Sequence, residues 1–179
     1  MPTVSMAQDW HRAIYRNVPL PVPYYAGEVR DSDPRFPELI GYGVQVGVVR
    51  GTPSADVPRA LAGFETGMQA AVGRVDSLVP AGDRPTDPTR LTAVVELAAV
   101  AHGEWIRIHP FANGNGRTAR IWVAWIAARY GLPLFLTVKP RPDSNLYALS
   151  AQFSMMGNHG QMALYLADRL QEALRAGRE

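Results

Sequence analysis

Apolar positions recur every three to four residues through most of this chain, and that spacing predicts helices. Trp10, Ile14 and Val18 give one side of a short helix over residues 5–17. Leu61, Phe64, Met68, Ala71, Val72 and Val75 keep the same period, in a helix opened by Ser54-Ala-Asp56-Val-Pro58 with Pro58 in its first turn. After a loop over 76–88 with three prolines, Asp87 reads as an N-cap and Pro88 as the first helical residue. Leu91, Val94, Val95, Ala98, Ala101, Trp105 and Ile108 then mark one face, and Pro110 ends the helix, because the residue before a proline is pushed out of the α region. The next helix starts within 115–117 and runs to Tyr130, with Gly131 placed to close it; residues 121–126 are apolar all round, which predicts a central, buried helix. Two more are expected at about 142–156 and 160–176, broken at 157–160.

Residues 19–23 hold three prolines and read as extended. Between them and Ser54 the period changes. Tyr42, Val44, Val46 and Val48 alternate with small or polar residues, the pattern of a strand, and residues 31–34 are a turn signal. A mainly helical fold with a small β-hairpin is the expectation, in one domain of 179 residues with no repeat or linker.

Composition narrows the function little. A hydrophobic share of 47% against 19% charged excludes a disordered chain. Net charge is +2 and there is no basic run, so nucleic acid is not an expected partner. Of 18 basic residues only Lys139 is lysine, a codon-usage signature of a GC-rich genome. There is no cysteine, hence no thiolate chemistry. The start lacks a signal-peptide pattern and the longest apolar run, 121–128, is too short to span a bilayer, so a soluble, cytoplasmic protein is expected, with no membrane partner.

Residues 109–120, HPFANGNGRTAR, carry the chemistry. A glycine-rich turn that opens a helix leaves N–H groups unpaired at the positive end of the helix dipole, which suits an anion. Arg117 and Arg120 stand in the first turn, where cations are normally disfavoured, and a phosphate chain accounts for them. His109 adds a base that titrates near neutrality. His102 lies seven residues before it with no third ligand spaced for a metal, His11 and His159 carry no pattern, and the Walker phosphate loop is absent.

This stretch resembles the signature of the Fic family, H-x-F-x-[D/E]-G-N-G-R-x-x-R, at His109, Phe111, Gly114, Asn115, Gly116, Arg117 and Arg120; it departs at Asn113, where the family usually has an acid. Ala26-Gly27-Glu28-Val29-Arg30 resembles the A-G-x-x-R that opens the family's hairpin flap. The resemblance implies a Fic-like helical bundle, over about 24–175, with the flap near the active site. It implies transfer of AMP from ATP, with Mg2+, to a Ser, Thr or Tyr hydroxyl of a target protein, His109 being the general base. Gly114, Asn115, Gly116, Arg117 and Arg120 would bind the nucleotide, Tyr147 would frame its base or serve as a core tyrosine, and position 113 would ligate the metal. Phe111 reads as a core anchor. Val44, Gln45, Val46 and Val48 would line the target groove by strand addition. Transfer of another phosphate-containing group, including phosphoryl, and a non-catalytic nucleotide- or partner-binding module stay open. Many Fic proteins are silenced by a helix carrying [S/T]-x-x-x-E-[G/N]. Here Thr92-x-x-x-Glu96 is followed by Leu97 and lies in the helix feeding the loop, so inhibition is expected from a separate small partner chain, as in a toxin–antitoxin pair.

Overall fold

The computed structural model describes residues 1–143 and 145–177. Six helices follow in order: α1 (Val4–Tyr15), α2 (Val57–Asp76), α3 (Pro88–Ile108), α4 (Asn115–Arg129), α5 (Asn145–Met155) and α6 (Gly160–Ala176), with strands β1 (Gln45–Val46) and β2 (Val49–Arg50) between α1 and α2. The expected start of α5 near 142 moves to Asn145; Ser144 lies outside the described residues.

The helix boundaries follow the stop and start residues. The Asp87 carboxylate accepts from the Arg90 N–H at 2.9 Å and Pro88 takes the first helical position, where its missing N–H costs nothing. Thr3 caps α1 in the same way, accepting from the Met6 N–H. Gly131, at φ 58°, closes α4.

α3, rather than α4, is the central helix. It packs against α2, α4, α5 and α6. α4 keeps a half-buried edge at Ile121, Ala124 and Trp125, and Ala128 is exposed; its apolar run includes small residues that an open edge tolerates. Where α3 and α4 meet α2, the rings of Phe64, Trp105 and Trp122 lie 5.3 to 5.8 Å apart in edge-on and tilted pairs. Phe111 joins them at 5.8 Å from Trp105 and is wholly buried, so the loop between α3 and α4 is anchored in the core. Burying a ring of that size contributes about 1.5–3 kcal/mol.

α1 turns a different face inward from the one expected. Ala7, His11 and Tyr15 are buried, while Val18 lies beyond the helix end and is exposed. Trp10 still packs, edge-on to Trp122 at 4.8 Å. The buried stripe holds two polar rings beside the half-buried Trp10 and Ile14, so hydrophobicity alone places the inward face off-centre.

The strands are shorter than the alternating valines suggest. Gln45 pairs with Arg50 and Val46 with Val49, around a turn at Gly47 (φ 58°) and Val48. Val48 is therefore at the hairpin tip, 88% exposed, and not in the strand that holds Val46. Residues 26–30 are not strand either. They follow a short 3₁₀ turn (Pro23–Tyr25), and their contribution is the Arg30 side chain. Among the described residues no helix is long and apolar enough to cross a membrane.

Candidate active site

His109 stands at the junction the proline creates. Its N–H still bonds the Trp105 carbonyl at 2.9 Å, but its backbone has turned into the left-handed region (φ 54°, ψ 57°). A residue with a β-carbon pays about 1–2 kcal/mol there, and Arg30 offsets it. The buried Arg30 guanidinium donates from Nε to the His109 carbonyl at 2.9 Å, from Nη1 to Tyr42 at 2.8 Å, and from Nη2 to Thr52 and Ile108 at 3.0 Å each. One side chain thus ties the hairpin's two flanks to the end of α3. Gly51 completes the fit, since a β-carbon there would meet the Val44 side chain at 2.8 Å and His109 Cβ at 3.2 Å.

The His109 ring is set for base chemistry. Nδ1 lies 3.1 Å from the Ile106 carbonyl. A carbonyl only accepts, so Nδ1 carries the proton and Nε2 keeps a free lone pair. Burial pushes the imidazole pKa below its usual 6.5, partly opposed by the Ile106 hydrogen bond and assisted by the Arg30 charge.

The loop that follows is built from its own side chains. Asn115 is buried and brackets Phe111, accepting from its N–H at 2.9 Å and donating to its carbonyl at 2.8 Å. Gly114 caps α4 at φ 81°, and a side chain there would come within 2.8 Å of His11 Nε2 and 3.0 Å of the Tyr15 ring. The N–H groups of Asn115 and Gly116 open the helix, have no intrahelical acceptor by position, and belong to residues lining the adjoining cleft. Asn113 is exposed, with its Oδ1 on the Gly114 N–H at 2.6 Å.

Two residues absent from the sequence-derived set hold this loop from behind. His11 Nδ1 accepts from the Gly27 N–H at 2.9 Å, so Nε2 carries the proton and donates to the Asn113 carbonyl at 2.9 Å. Its ring stacks on Phe111 at 3.8 Å. Tyr15 Oη accepts from Arg117 Nη2, and the Arg117 guanidinium lies 4.6 Å from the Tyr15 ring centre. The spacing Ala7, His11, Tyr15, one residue every four, was the available signal.

Arg120 reaches the cleft from a buried position. Nε and Nη2 donate to the Val138 carbonyl at 3.1 and 2.9 Å, and Nη1 to Tyr147 Oη at 3.0 Å. Tyr147 Oη in turn lies 3.0 Å from His102 Nε2. Arg120, Tyr147 and His102 expose 4%, 2% and 0% of their surfaces, so the row is internal. The Tyr147 hydroxyl therefore accepts from Arg120, and the residue also borders the cleft. His102 sits inside α3 and does not share a face with His109, which has left the helix.

The cleft has a volume of about 270 Å³ and gathers Val46, His109, Asn113, Gly114, Asn115, Gly116, Arg117, Arg120, Arg141 and Tyr147 among its walls. The hairpin reaches it through Val46; Val44, Gln45 and Val48 lie beside and beyond. Among the described residues three arginines and no carboxylate line it, so the field favours a polyanion. Larger grooves between α3 and α6 and between α2 and α3 have mostly aliphatic walls and no such convergence. Among the described residues no three acidic or histidine groups come together for a metal. The Asn113 amide oxygen is a fit donor for one position on a hard cation whose other ligands are phosphates and waters. Thr92 and Glu96 lie in α3, ahead of the loop.

The Fic/DOC family pattern matches residues 2–127. The protein adenylyltransferase fic-1 of Caenorhabditis elegans is 36% identical over 74 residues, 41% of this chain and 14% of the relative. A uridine 5'-monophosphate transferase of Xanthomonas campestris pv. campestris is 46% identical over 39 residues, 22% of this chain and 7% of the relative. The chain thus spans a small part of the curated relatives it matches. Among solved structures, residues 134–508 of C. elegans Fic-1 superpose with a TM-score of 0.64 at 22% identity, over 98% of this chain and 42% of that one. A Fic-domain-containing signaling protein of Bacteroides thetaiotaomicron gives 0.65 at 18% identity, over 99% and 63%. At those identities the likeness concerns the fold.

Proposed function

The chain belongs to the Fic/DOC family, and on that premise we propose that it transfers AMP from ATP to a Ser, Thr or Tyr hydroxyl of a target protein. The observation that carries the reading is the protonation of His109. With Nδ1–H held by Ile106, Nε2 is a base on the wall of an arginine-lined cleft at a helix N-terminus.

The chemistry follows from these positions. The target hydroxyl, placed beside the hairpin, loses its proton to His109 Nε2 as its oxygen bonds the α-phosphorus. The bond from that phosphorus to the bridging oxygen breaks, and pyrophosphate leaves with the electron pair. The Asn115 and Gly116 N–H groups bind phosphate oxygens, and Arg117 and Arg120 hold the charge that moves onto the leaving group. Tyr15, and Tyr147 backed by His102, keep those guanidiniums oriented. A Mg2+ held through Asn113 and the phosphates would supply further neutralisation.

Transfer of UMP is a second reading, supported by the match to the Xanthomonas transferase, which covers 39 residues. Incubating the purified chain with α-labelled ATP or UTP and a lysate, followed by mass spectrometry of the labelled band, separates the two. AMP on a hydroxyl side chain is the expected product. No label from either nucleotide, with His109 intact, would leave a binding module or transfer of the γ-phosphoryl group, which carries no α-label, instead.

A further inference from the structure

We propose that Arg141 is a third phosphate-binding arginine of the cleft, directed at the phosphates beyond the transferred one. The inference rests on the nucleotide reading above. Arg141 lies outside the loop motif, in the segment joining α4 to α5, yet lines the same cleft as Gly116, Arg117 and Arg120. Its guanidinium carbon is 5.8 Å from the Tyr147 ring centre, and that of Arg120 is 5.8 Å from the same ring. The two cations therefore share one aromatic platform.

The three arginines differ in what they have left to offer. Arg120 commits three of its five N–H groups to Val138 and Tyr147, and Arg117 commits one to Tyr15. Among the described residues Arg141 makes no hydrogen bond or ion pair, and no carboxylate lines the cleft to balance it. Its contact with Tyr147 holds the guanidinium near the site while leaving its donors free. Three neighbouring cations repel one another until an anion arrives. Two arginines balance only part of a triphosphate's charge, and the third matters for that longer chain. The amide at Asn113 sharpens the need, because it holds a metal less strongly than an acid would and leaves more of the phosphate charge to the protein.

Calorimetric titration of the full chain and of Arg141→Ala with ATP, AMP and inorganic tripolyphosphate, in EDTA, tests this. Losing a charge-assisted contact should weaken ATP and tripolyphosphate about tenfold and leave AMP unchanged. Arg141→Lys should restore part of the loss. Equal weakening of ATP and AMP would place Arg141 at the nucleoside or its first phosphate, and unchanged ATP binding would remove it from the site; either overturns the proposal. A raised KM for the target protein with unchanged ATP affinity would make Arg141 a docking residue and overturn it too. If the unmodified chain binds neither ATP nor tripolyphosphate, the nucleotide reading itself fails, a result distinct from the others.

Discussion

His11 Nε2 donates to the carbonyl of Asn113 at 2.9 Å, so the glycine-rich loop hangs from the first helix of the chain, 102 residues earlier. Both ring nitrogens are in use, and burial pushes the imidazole pKa down to about 4. His102, fully buried behind Tyr147, is pushed to about 3 for the same reason.

Those two histidines make the fold acid-sensitive. The unfolded chain takes up protons near pH 6.5, whereas the folded chain resists until about 4 or 3. Their stabilisation is therefore complete above pH 6.5 and declines as pH falls below it, each contributing about 1.4 kcal/mol per pH unit across its window. Urea unfolding at pH 7, 6 and 5 should show the decline. His11→Gln should lower stability at pH 7 and flatten the dependence by one histidine's share. An unchanged slope would mean that His11 is not held neutral in the fold.

The acid limb of the reaction belongs to His109. Its neutral form is the active one, and burial moves its pKa below 6.5. The rate should therefore rise with pH and reach its plateau at a lower pH than an unperturbed imidazole would give. His109→Ala should cost about 10²–10⁴-fold in transfer with nucleotide affinity nearly unchanged. An alanine variant that keeps its rate would remove the residue from the mechanism.

Asn113→Asp tests the metal. The exposed carboxylate would keep an acceptor for the Gly114 N–H and add the charge the amide lacks. The Mg2+ concentration for half-maximal rate should fall, with less change at saturation. An unmoved metal dependence would show that position 113 does not face the ion.

The hairpin points to a particular strand residue. The Gly51 N–H bonds the Val44 carbonyl at 3.1 Å, and Val46 pairs with Val49, so by alternation Gln45 turns its N–H and C=O to the open edge of β1. Gln45→Pro, which deletes only the outward donor, should weaken target modification more than ATP binding. Proline at Val46 would break the hairpin itself. Unimpaired modification in Gln45→Pro would place the target elsewhere.

The helices and the loop were legible because prolines, caps and glycines mark them locally: Asp87 with Pro88, Pro110, Gly131. What joins them was not. Val48 reads as a fourth alternating strand residue until the turn at Gly47 carries it to the tip. His11 carries no pattern in the sequence and Tyr15 is not singled out there, since their partners lie about a hundred residues away. The row from His102 through Tyr147 to Arg120 draws on three helices, and no local pattern announces it. Arg141 belongs to no motif, and only the cleft shows where it goes.

Arg30 gives the site its cooperativity. Its guanidinium reaches carbonyls at residues 42, 52, 108 and 109, and its own N–H bonds Pro110. A buried guanidinium that loses its acceptors costs several kcal/mol. Half-assembled arrangements, with the hairpin lifted and the α3 terminus still in place, are therefore sparsely populated. The base and the strand edge beside it are gained or lost as one unit.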